Sequence, residues 1–430
     1  MPGLGSSRYV VTSFHTLVRY MLINVSQTLA STKGDLSSLT APPFLLSSKS
    51  MIEVASNWCE HPYMFIKPAH EINPEKRALM VLKGFLTTLK QQHSNKEADG
   101  STKKLKPLNS FLGERFEGSW IDENGETKLI AEQVSHHPPI SAYNIWNDDH
   151  GISMRGNITP KTYFSSTVHI ERKGYSIFHI DAFDEDHLIT MPKMHVEGLM
   201  SGQLNPELSG CSYIKSSAGF TTKIEYFYKG WLGGKRNAFK ATLFRDGGAA
   251  TKQSEAIYDL EGTWSGEFTV KDARTKEKIE TVDVDKLKKT KLTVKPVEEQ
   301  DPMESRRAWR NVIEAIEQGD ANAAGREKAI IENQQREQRK REAADGVEFQ
   351  RRYFSRSSGD KVADSLILGL EREMNVKRSE IIDSASAFWA WDASKFKAAA
   401  RGSQMYKSAR RGSSIDSGIG LFQEDVPARA

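Results

Sequence analysis

Two adjacent histidines give the clearest chemical signal in this sequence. They lie in the octapeptide from Glu132 to Pro139, which reads Glu-Gln-Val-Ser-His-His-Pro-Pro, so His136 and His137 precede two prolines. The alternating residues from Thr127 to Val134 predict a β-strand that ends here, because proline lacks a backbone donor and restricts the residue before it. Neighbouring side chains of a strand leave on opposite faces, so one imidazole should face inward and the other outward. We therefore expect the pair at the rim of a sheet.

The chemistry that suits this pair is binding of an anion with several oxygens, above all a phosphate monoester. Imidazoles donate hydrogen bonds and become charged close to neutral pH. A catalytic role is disfavoured, because Ser135 and His136 would diverge in a strand and no glycines flank the serine. A zinc site is also disfavoured, since no third ligand lies at zinc spacing. We predict no catalytic residue, no metal and no cofactor.

Two further sets of residues could bind an anion, although each has an ordinary structural explanation. Lys106 precedes a proline and Asn109 follows three residues on, which describes either an anion clamp or a solvated surface turn. Lys328, Glu332 and Arg336 recur every four residues and would share one face of a helix. Such a row is normally a ladder of surface ion pairs worth about 0.3–0.5 kcal/mol each. From local sequence alone, the structural explanation is the better one for both sets.

Composition and charge limit the classes of function. The 430 residues carry a formal net charge of +4, which is too small to indicate a nucleic-acid partner. Cys59 and Cys211 are the two cysteines, too few and too far apart for a disulfide framework, which favours a reducing, cytoplasmic compartment. No apolar run of the sequence is long enough to span a membrane without interruption.

The N-terminal segment has the pattern of an amphipathic helix. One apolar stripe of that helix would contain Leu22, Val25 and Leu29, while the opposite face carries a single charge. Such a helix can lie in a membrane interface, pack on the core of its own domain, or do both as a movable lid. A secretory signal is the rival interpretation of the same residues. We expect a lid within residues 1–32.

The rest of the chain predicts a β-dominated α+β protein with helices at both ends. Helical spacing occurs at Met51–Trp58 and Ala78–Gln92, and again from about 303 to 344. Between Leu112 and Val294, short alternating runs separated by turn residues predict many antiparallel strands. A barrel of more than about 8 strands is too wide for side chains alone to fill, so a ligand tunnel is expected. Residues 355–430 should be partly helical and then disordered.

The octapeptide resembles, without a mismatch, the fingerprint of the oxysterol-binding-protein-related family. Further similar segments are Lys106 to Asn109, Leu112 to Glu114 and Lys295 to Trp309, and the resemblance covers about 33–354. It implies a large, near-complete antiparallel β-barrel with a central hydrophobic tunnel, an N-terminal lid helix, N-terminal helices and a C-terminal helical subdomain. The lipid-binding domain would be 33–354. The family members that this chain resembles most are short, single-domain fungal proteins, which implies a monomer.

The resemblance also implies which ligands are bound and where. The family's phosphate-binding residues, which hold the headgroup of phosphatidylinositol 4-phosphate, correspond here to Lys106, Asn109, His136, His137, Lys328 and Arg336, with Glu332 beside them. In the tunnel, Trp58 and Gln92 match residues that sterol-binding members place against the sterol, and His93 stands where a tyrosine is usual. The stretch from Arg155 to Tyr175 differs from those members, so no further tunnel contact is assigned.

Together these expectations describe a cytoplasmic lipid-transfer protein that is not an enzyme. It would associate peripherally with membranes, Golgi and endoplasmic reticulum contacts among them, and exchange sterol for phosphatidylinositol 4-phosphate. Two alternatives stay open, namely an exchanger of another phospholipid such as phosphatidylserine, and a lipid sensor without net transport. A histidine-dependent phosphatase or lipid hydrolase is the competing enzymatic class, and for it the sequence offers no nucleophile–base pair.

Overall fold

A computed structural model describes residues 46–93, 106–165, 167–198, 205–228, 235–247, 255–383 and 387–399. The expected lid residues Leu22, Val25 and Leu29 lie outside these ranges, as does the expected disordered end of the chain. Within the described residues, no helix combines the length and the apolarity needed to cross a membrane.

A 14-stranded antiparallel sheet dominates the fold, and two small two-stranded sheets flank it. In chain order the strands are β1 (Leu46–Ser50), β2 (Lys106–Leu108), β3 (Arg115–Asp122), β4 (Gly125–His136), β5 (Pro139–Asn147), β6 (Ile152–Ser165), β7 (Thr167–Ile180), β8 (Glu185–Thr190), β9 (Lys193–Glu197), β10 (Asn205–Ser216), β11 (Phe220–Phe227), β12 (Ala238–Arg245), β13 (Ala256–Thr263), β14 (Glu267–Asp272), β15 (Lys278–Asp283), β16 (Leu292–Thr293), β17 (Phe354–Ser357) and β18 (Phe388–Trp391).

The large sheet is mainly a meander, because most strands pair with the next strand along the chain. Its order is β15-β14-β13-β12-β11-β10-β8-β7-β6-β5-β4-β3-β16, and β9 pairs with β10 and β7. Outside this sheet, β1 pairs with β2 in parallel and β17 pairs with β18. Antiparallel neighbours joined by tight turns need no crossover helix, so the strands can follow one another around a single core.

Helices lie before and after the strands of the large sheet. They are α1 (Pro62–Ile66), α2 (Pro74–His93), α3 (Ser305–Ala308), α4 (Arg310–Glu317), α5 (Ala321–Asp345), α6 (Lys361–Met374) and α7 (Arg378–Ile381), with 3-10 helices at Met51–Trp58, Lys67–His70, Asp181–Phe183, Val284–Lys286 and Val297–Glu299. Helical spacing in the sequence therefore predicted α2, α5 and the turn Met51–Trp58 close to their observed bounds.

Helix α2 is enclosed by the large sheet. Leu82, Phe85, Leu86 and Leu89 are at most 3% exposed and share one apolar core with side chains from β3 through β15. A helix that is buried around most of its circumference is typical of the interior of a domain and not of its surface. The sheet thus wraps around α2, and this arrangement confirms the predicted β-dominated fold with a near-complete barrel.

The chain beyond 354 packs on the outside of the sheet. Leu366 and Leu370 of α6 share a cluster with Tyr175 and Ile177 of β7, whereas the next strand-face residue, Phe178, belongs to the inner core. The pairing of β17 with β18 adds a second outer layer over β4 and β5. The domain boundary at 354 stays a prediction.

Candidate functional site

The two histidines occupy the tip of a tight hairpin. Strand β4 ends at His136, β5 begins at Pro139, and these two residues pair across the hairpin. The His137–Pro138 peptide is cis. The imidazole rings lie 4.5 Å apart between centroids, with their planes at 65°. The expectation that the two rings diverge is therefore wrong, because His137 lies in the turn and not in the strand.

A hydrogen bond fixes the hairpin tip to the loop after β2. His136 Nδ1 lies 3.2 Å from the carbonyl oxygen of Ser110, so this nitrogen carries the proton and donates it. Lys106 lies in β2 itself, and the half-buried Asn109 is the first residue of the loop that follows. The structure thus brings together two of the predicted sets of anion-binding residues.

The other residues of the octapeptide hold the hairpin in place. The buried carboxylate of Glu132 accepts backbone N–H groups of Arg352 at 2.7 Å and Tyr353 at 2.8 Å. The Gln133 backbone exchanges hydrogen bonds with the turn at Gly113 and Glu114, at 2.9 and 2.8 Å. These contacts tie the strand to segments on both sides of it, so the histidines project from a rigid base.

Glu114 fixes the loop after β2 to the C-terminal helices. Its fully buried carboxylate accepts the N–H of Phe111 at 3.1 Å, the hydroxyl of Ser305 at 2.8 Å and the indole N–H of Trp309 at 2.9 Å. Phe111 also packs on Trp309, with 5.8 Å between ring centroids. One carboxylate with three donors is a strong local restraint. The loop that follows Lys106 and β2 is therefore positioned by Ser305 of α3 and by Trp309, which lies between α3 and α4.

Helix α5 closes the site from the other side. Lys328 is 7% exposed and forms an ion pair with Glu332, whose second oxygen lies 3.8 Å from Arg336 Nη2. Burial and the charge of Lys328 lower the pKa of Lys106 to about 8. Two cations that repel each other in a partly desolvated place favour a bound anion. Arg336 differs, since its side chain is 61% exposed and donates to Asn333 at 3.0 Å.

The local sequence analysis missed Arg339, one turn further along α5. Its Nη1 is buried, and in the described part of the chain it has no hydrogen-bond partner. The same is true of Nε2 of Gln335, a residue that is 5% exposed. A signal was present, because the buried face of α5 runs through Lys328, Ile331 and Gln335 at helical spacing, and Arg339 continues that stripe.

The assembled site is positively charged and rich in donors. Burial lowers the pKa of His136, and the neighbouring His137 and Arg339 lower it further. A phosphate bound between these groups would raise the pKa of His136 again, so the imidazole would bind a proton more readily. Among the described residues, no group of three metal-binding side chains is present. The arrangement suits binding of a phosphate-type anion, which is the ligand class that the sequence of the histidine pair indicates.

The predicted tunnel residues lie at two places in the interior, and Tyr143 connects them. Trp58 lies in the inner core against Phe85 and Tyr143, at 5.9 and 6.3 Å between ring centroids. Gln92 and His93, at the end of α2, meet around Arg172 of β7. A small, partly open pocket in this core is lined by Trp58, Met64, Phe65, Phe85, Thr88 and Phe178, among others.

Comparison with known proteins identifies the class that this fold and site define. The family model of the oxysterol-binding protein matches residues 25–314. Protein kes1 of Schizosaccharomyces pombe is 40% identical over 365 residues, which cover 84% of this chain and 91% of that protein. The chain belongs to the oxysterol-binding protein family.

A second relative is longer than this chain. The probable transporter efuK of Hormonema carpetanum is 40% identical over 397 residues, which cover 91% of this chain and 55% of that protein. This chain therefore spans about half the length of that relative.

Solved structures share the fold. The Osh3 domain of Saccharomyces cerevisiae, solved in complex with PI(4)P, superimposes with a TM-score of 0.58 at 22% identity and covers 75% of this chain and 84% of that domain. The Osh1 domain, solved in complex with ergosterol, gives a TM-score of 0.60 at 18% identity and covers 82% of this chain and 90% of that domain.

Proposed function

We propose that this protein extracts phosphatidylinositol 4-phosphate and sterol from membranes and exchanges one for the other between two membranes. The proposal rests mainly on one observation: Lys106 and Lys328 lie close enough to repel each other, next to the hairpin that carries the histidine pair. Four cation-forming groups held by three separate elements make a cradle for a phosphate monoester. The headgroup residues are the predicted Lys106, Asn109, His136, His137, Lys328, Glu332 and Arg336, and we add Arg339.

The physical basis of selectivity is the headgroup. A lipid in a bilayer is already in hydrocarbon, so its chains gain little from an apolar interior; the ~0.8 kcal/mol per methylene applies only against water. Charge-assisted hydrogen bonds of about 1.5–3 kcal/mol each can instead hold the phosphorylated inositol. A sterol lacks the phosphate and would rely on shape, against apolar interior residues such as Trp58 and Phe85. Two ligands that compete for one interior are exchanged and not carried together.

The relatives support this proposal through what their names state. One solved domain of the same fold holds PI(4)P and another holds ergosterol, and the relative from Hormonema carpetanum is named a probable transporter. We further propose that the protein works in the cytoplasm, as a monomer in peripheral contact with membrane surfaces. It binds and moves its lipids without chemical change.

A two-liposome assay tests the exchange. Donor liposomes contain a fluorescent sterol, and acceptor liposomes contain phosphatidylinositol 4-phosphate or the same amount of phosphatidylinositol. We expect faster sterol transfer toward acceptors that contain the phosphorylated lipid, with that lipid moving the opposite way. Sterol transfer that is the same with both acceptors would contradict exchange. Release of inorganic phosphate in the same reaction would point to a hydrolase.

A further inference from the structure

The interior of the sheet holds a positive charge that the headgroup site does not use. Arg172 lies in β7, and the alternation of the strand places its side chain on the inner face. Phe178, on the same face, contacts Phe65 of α1 edge-on at 5.2 Å. Lys173, on the other face, donates to two backbone carbonyls of α7 at 3.0 and 2.9 Å. Arg172 therefore points toward α2 and the core.

The Arg172 guanidinium has polar neighbours but, among the residues that the structure describes, no counter-ion. It donates to Gln92 Oε1 at 3.3 Å and to His93 Nε2 at 2.7 Å. In the part of the chain that the structure describes, no carboxylate lies within ion-pair distance of it, and the adjacent Glu171 pairs with two lysines instead. Burial lowers the pKa of Arg172 to about 10, so the group stays charged at neutral pH. An internal charge without a counter-ion is costly, and a bound anion would remove that cost.

A second donor beside Arg172 lacks an acceptor within the described ranges. The ring of Trp264 meets that of His93 edge-on at 6.1 Å, and its buried indole N–H has no hydrogen-bond partner in the described residues. The phenols of Tyr143 and Tyr226 are close enough to the guanidinium to affect its pKa, and each is already hydrogen-bonded to a serine hydroxyl. Burial and the adjacent guanidinium hold the pKa of His93 well below its usual range, so this imidazole is neutral. A ligand that reaches this place must therefore bring acceptor oxygens.

We propose that the interior binds a lipid whose buried end carries a carboxylate, with Arg172 as the residue that pairs with it. A carboxylate accepts two parallel N–H groups from a planar guanidinium and neutralises its charge. A lone hydroxyl, as on a sterol, accepts less and leaves the charge uncompensated. The inference rests on the proposed lipid-binding function, but it concerns a site that is built from β7 and the end of α2, not from the hairpin tip and α5.

The test compares a steroid carboxylic acid with its methyl ester, which has the same skeleton and no charge. Binding of each to the full chain is measured by competition against a fluorescent sterol. We expect the acid to bind at least about tenfold more tightly than the ester, because the ester cannot form the charge-assisted pair. Arg172→Gln should abolish this preference, and Arg172→Lys should keep part of it. Lys173→Gln is the matched control, since it removes the adjacent charge from the outer face and should leave the preference unchanged.

Each outcome of this experiment decides the inference. Equal binding of acid and ester by the unmodified protein would overturn it, and so would binding of neither. A preference that survives Arg172→Gln would also overturn it. Extraction of phosphatidylinositol 4-phosphate by the same unmodified preparation is measured in parallel. If that extraction occurs while acid and ester bind alike, the proposed function stands and the carboxylate site is wrong. If the acid binds more tightly than the ester but no phosphatidylinositol 4-phosphate is extracted, the carboxylate site stands and the proposed exchange is wrong.

Discussion

The lowered pKa of Lys106 predicts that headgroup binding weakens in mildly alkaline solution. With a pKa of about 8 in the protein without ligand, the side chain is charged in about 90% of molecules at pH 7 and in about 10% at pH 9. A bound phosphate favours the ammonium form, so binding is accompanied by proton uptake at Lys106, and this uptake increases as the pH of the solution passes about 8. Affinity should therefore fall about tenfold between pH 7 and pH 9, or about 1.4 kcal/mol.

Isothermal titration calorimetry with a short-chain phosphatidylinositol 4-phosphate measures this fall directly. The phosphate monoester has its second pKa near 6, so it is a dianion throughout the window and does not contribute. The control is Lys106→Arg, because a guanidinium stays charged and should flatten the profile. A flat profile for the unmodified protein, or an equal fall in the Lys106→Arg variant, would refute the assignment of this lysine to the headgroup.

Two further predictions test how the site is built. Arg339→Gln should weaken phosphoinositide binding by about tenfold through loss of one charge-assisted bond, with unchanged or higher thermal stability, whereas the exposed Arg341→Gln should have no effect on binding. Equal effects of the two substitutions would show that only net charge matters. Glu114→Ala should lower the free energy of unfolding by about 2–5 kcal/mol in urea titrations, because it leaves three buried donors unpaired, while Glu337→Ala on the exposed face of α5 should cost little. A loss below about 1 kcal/mol for Glu114→Ala would contradict this role.

Patterns of short range predicted most of the fold. The proline pair predicted that β4 ends at about His136, where it does end. Apolar spacing predicted the helix α2, which the structure places inside the large sheet. The strands β17 and β18 were missed, because each has four residues and their pairing of Phe354 with Trp391 depends on contacts far apart in sequence. Local pattern carries little information about such pairings.

The site was predicted in part, and the misses have a common cause. Arg339 lies among many charges on α5, and only the burial of one stripe distinguishes it from Arg336. Arg172 lies in a stretch of charged residues that is typical of a solvent-exposed segment. Its inward position depends on the alternation of side chains along β7 and on the contact of its side chain with the end of α2. Local sequence indicated what the histidine pair could bind. It could not show that Lys106 and Lys328 lie close to that pair; this followed only from the family resemblance or from the fold.

The central claim is that the cluster around the histidine pair holds the phosphorylated headgroup. Extraction of phosphatidylinositol 4-phosphate and of sterol from liposomes is measured for the double variant His136→Ala/His137→Ala. A matched control is His70→Ala/His150→Ala, which removes another pair of contacting histidines, of which His70 is exposed and His150 half-buried. We expect the first variant to lose phosphoinositide extraction and largely retain sterol extraction, and the control to retain both. Undiminished phosphoinositide extraction by His136→Ala/His137→Ala would contradict the claim.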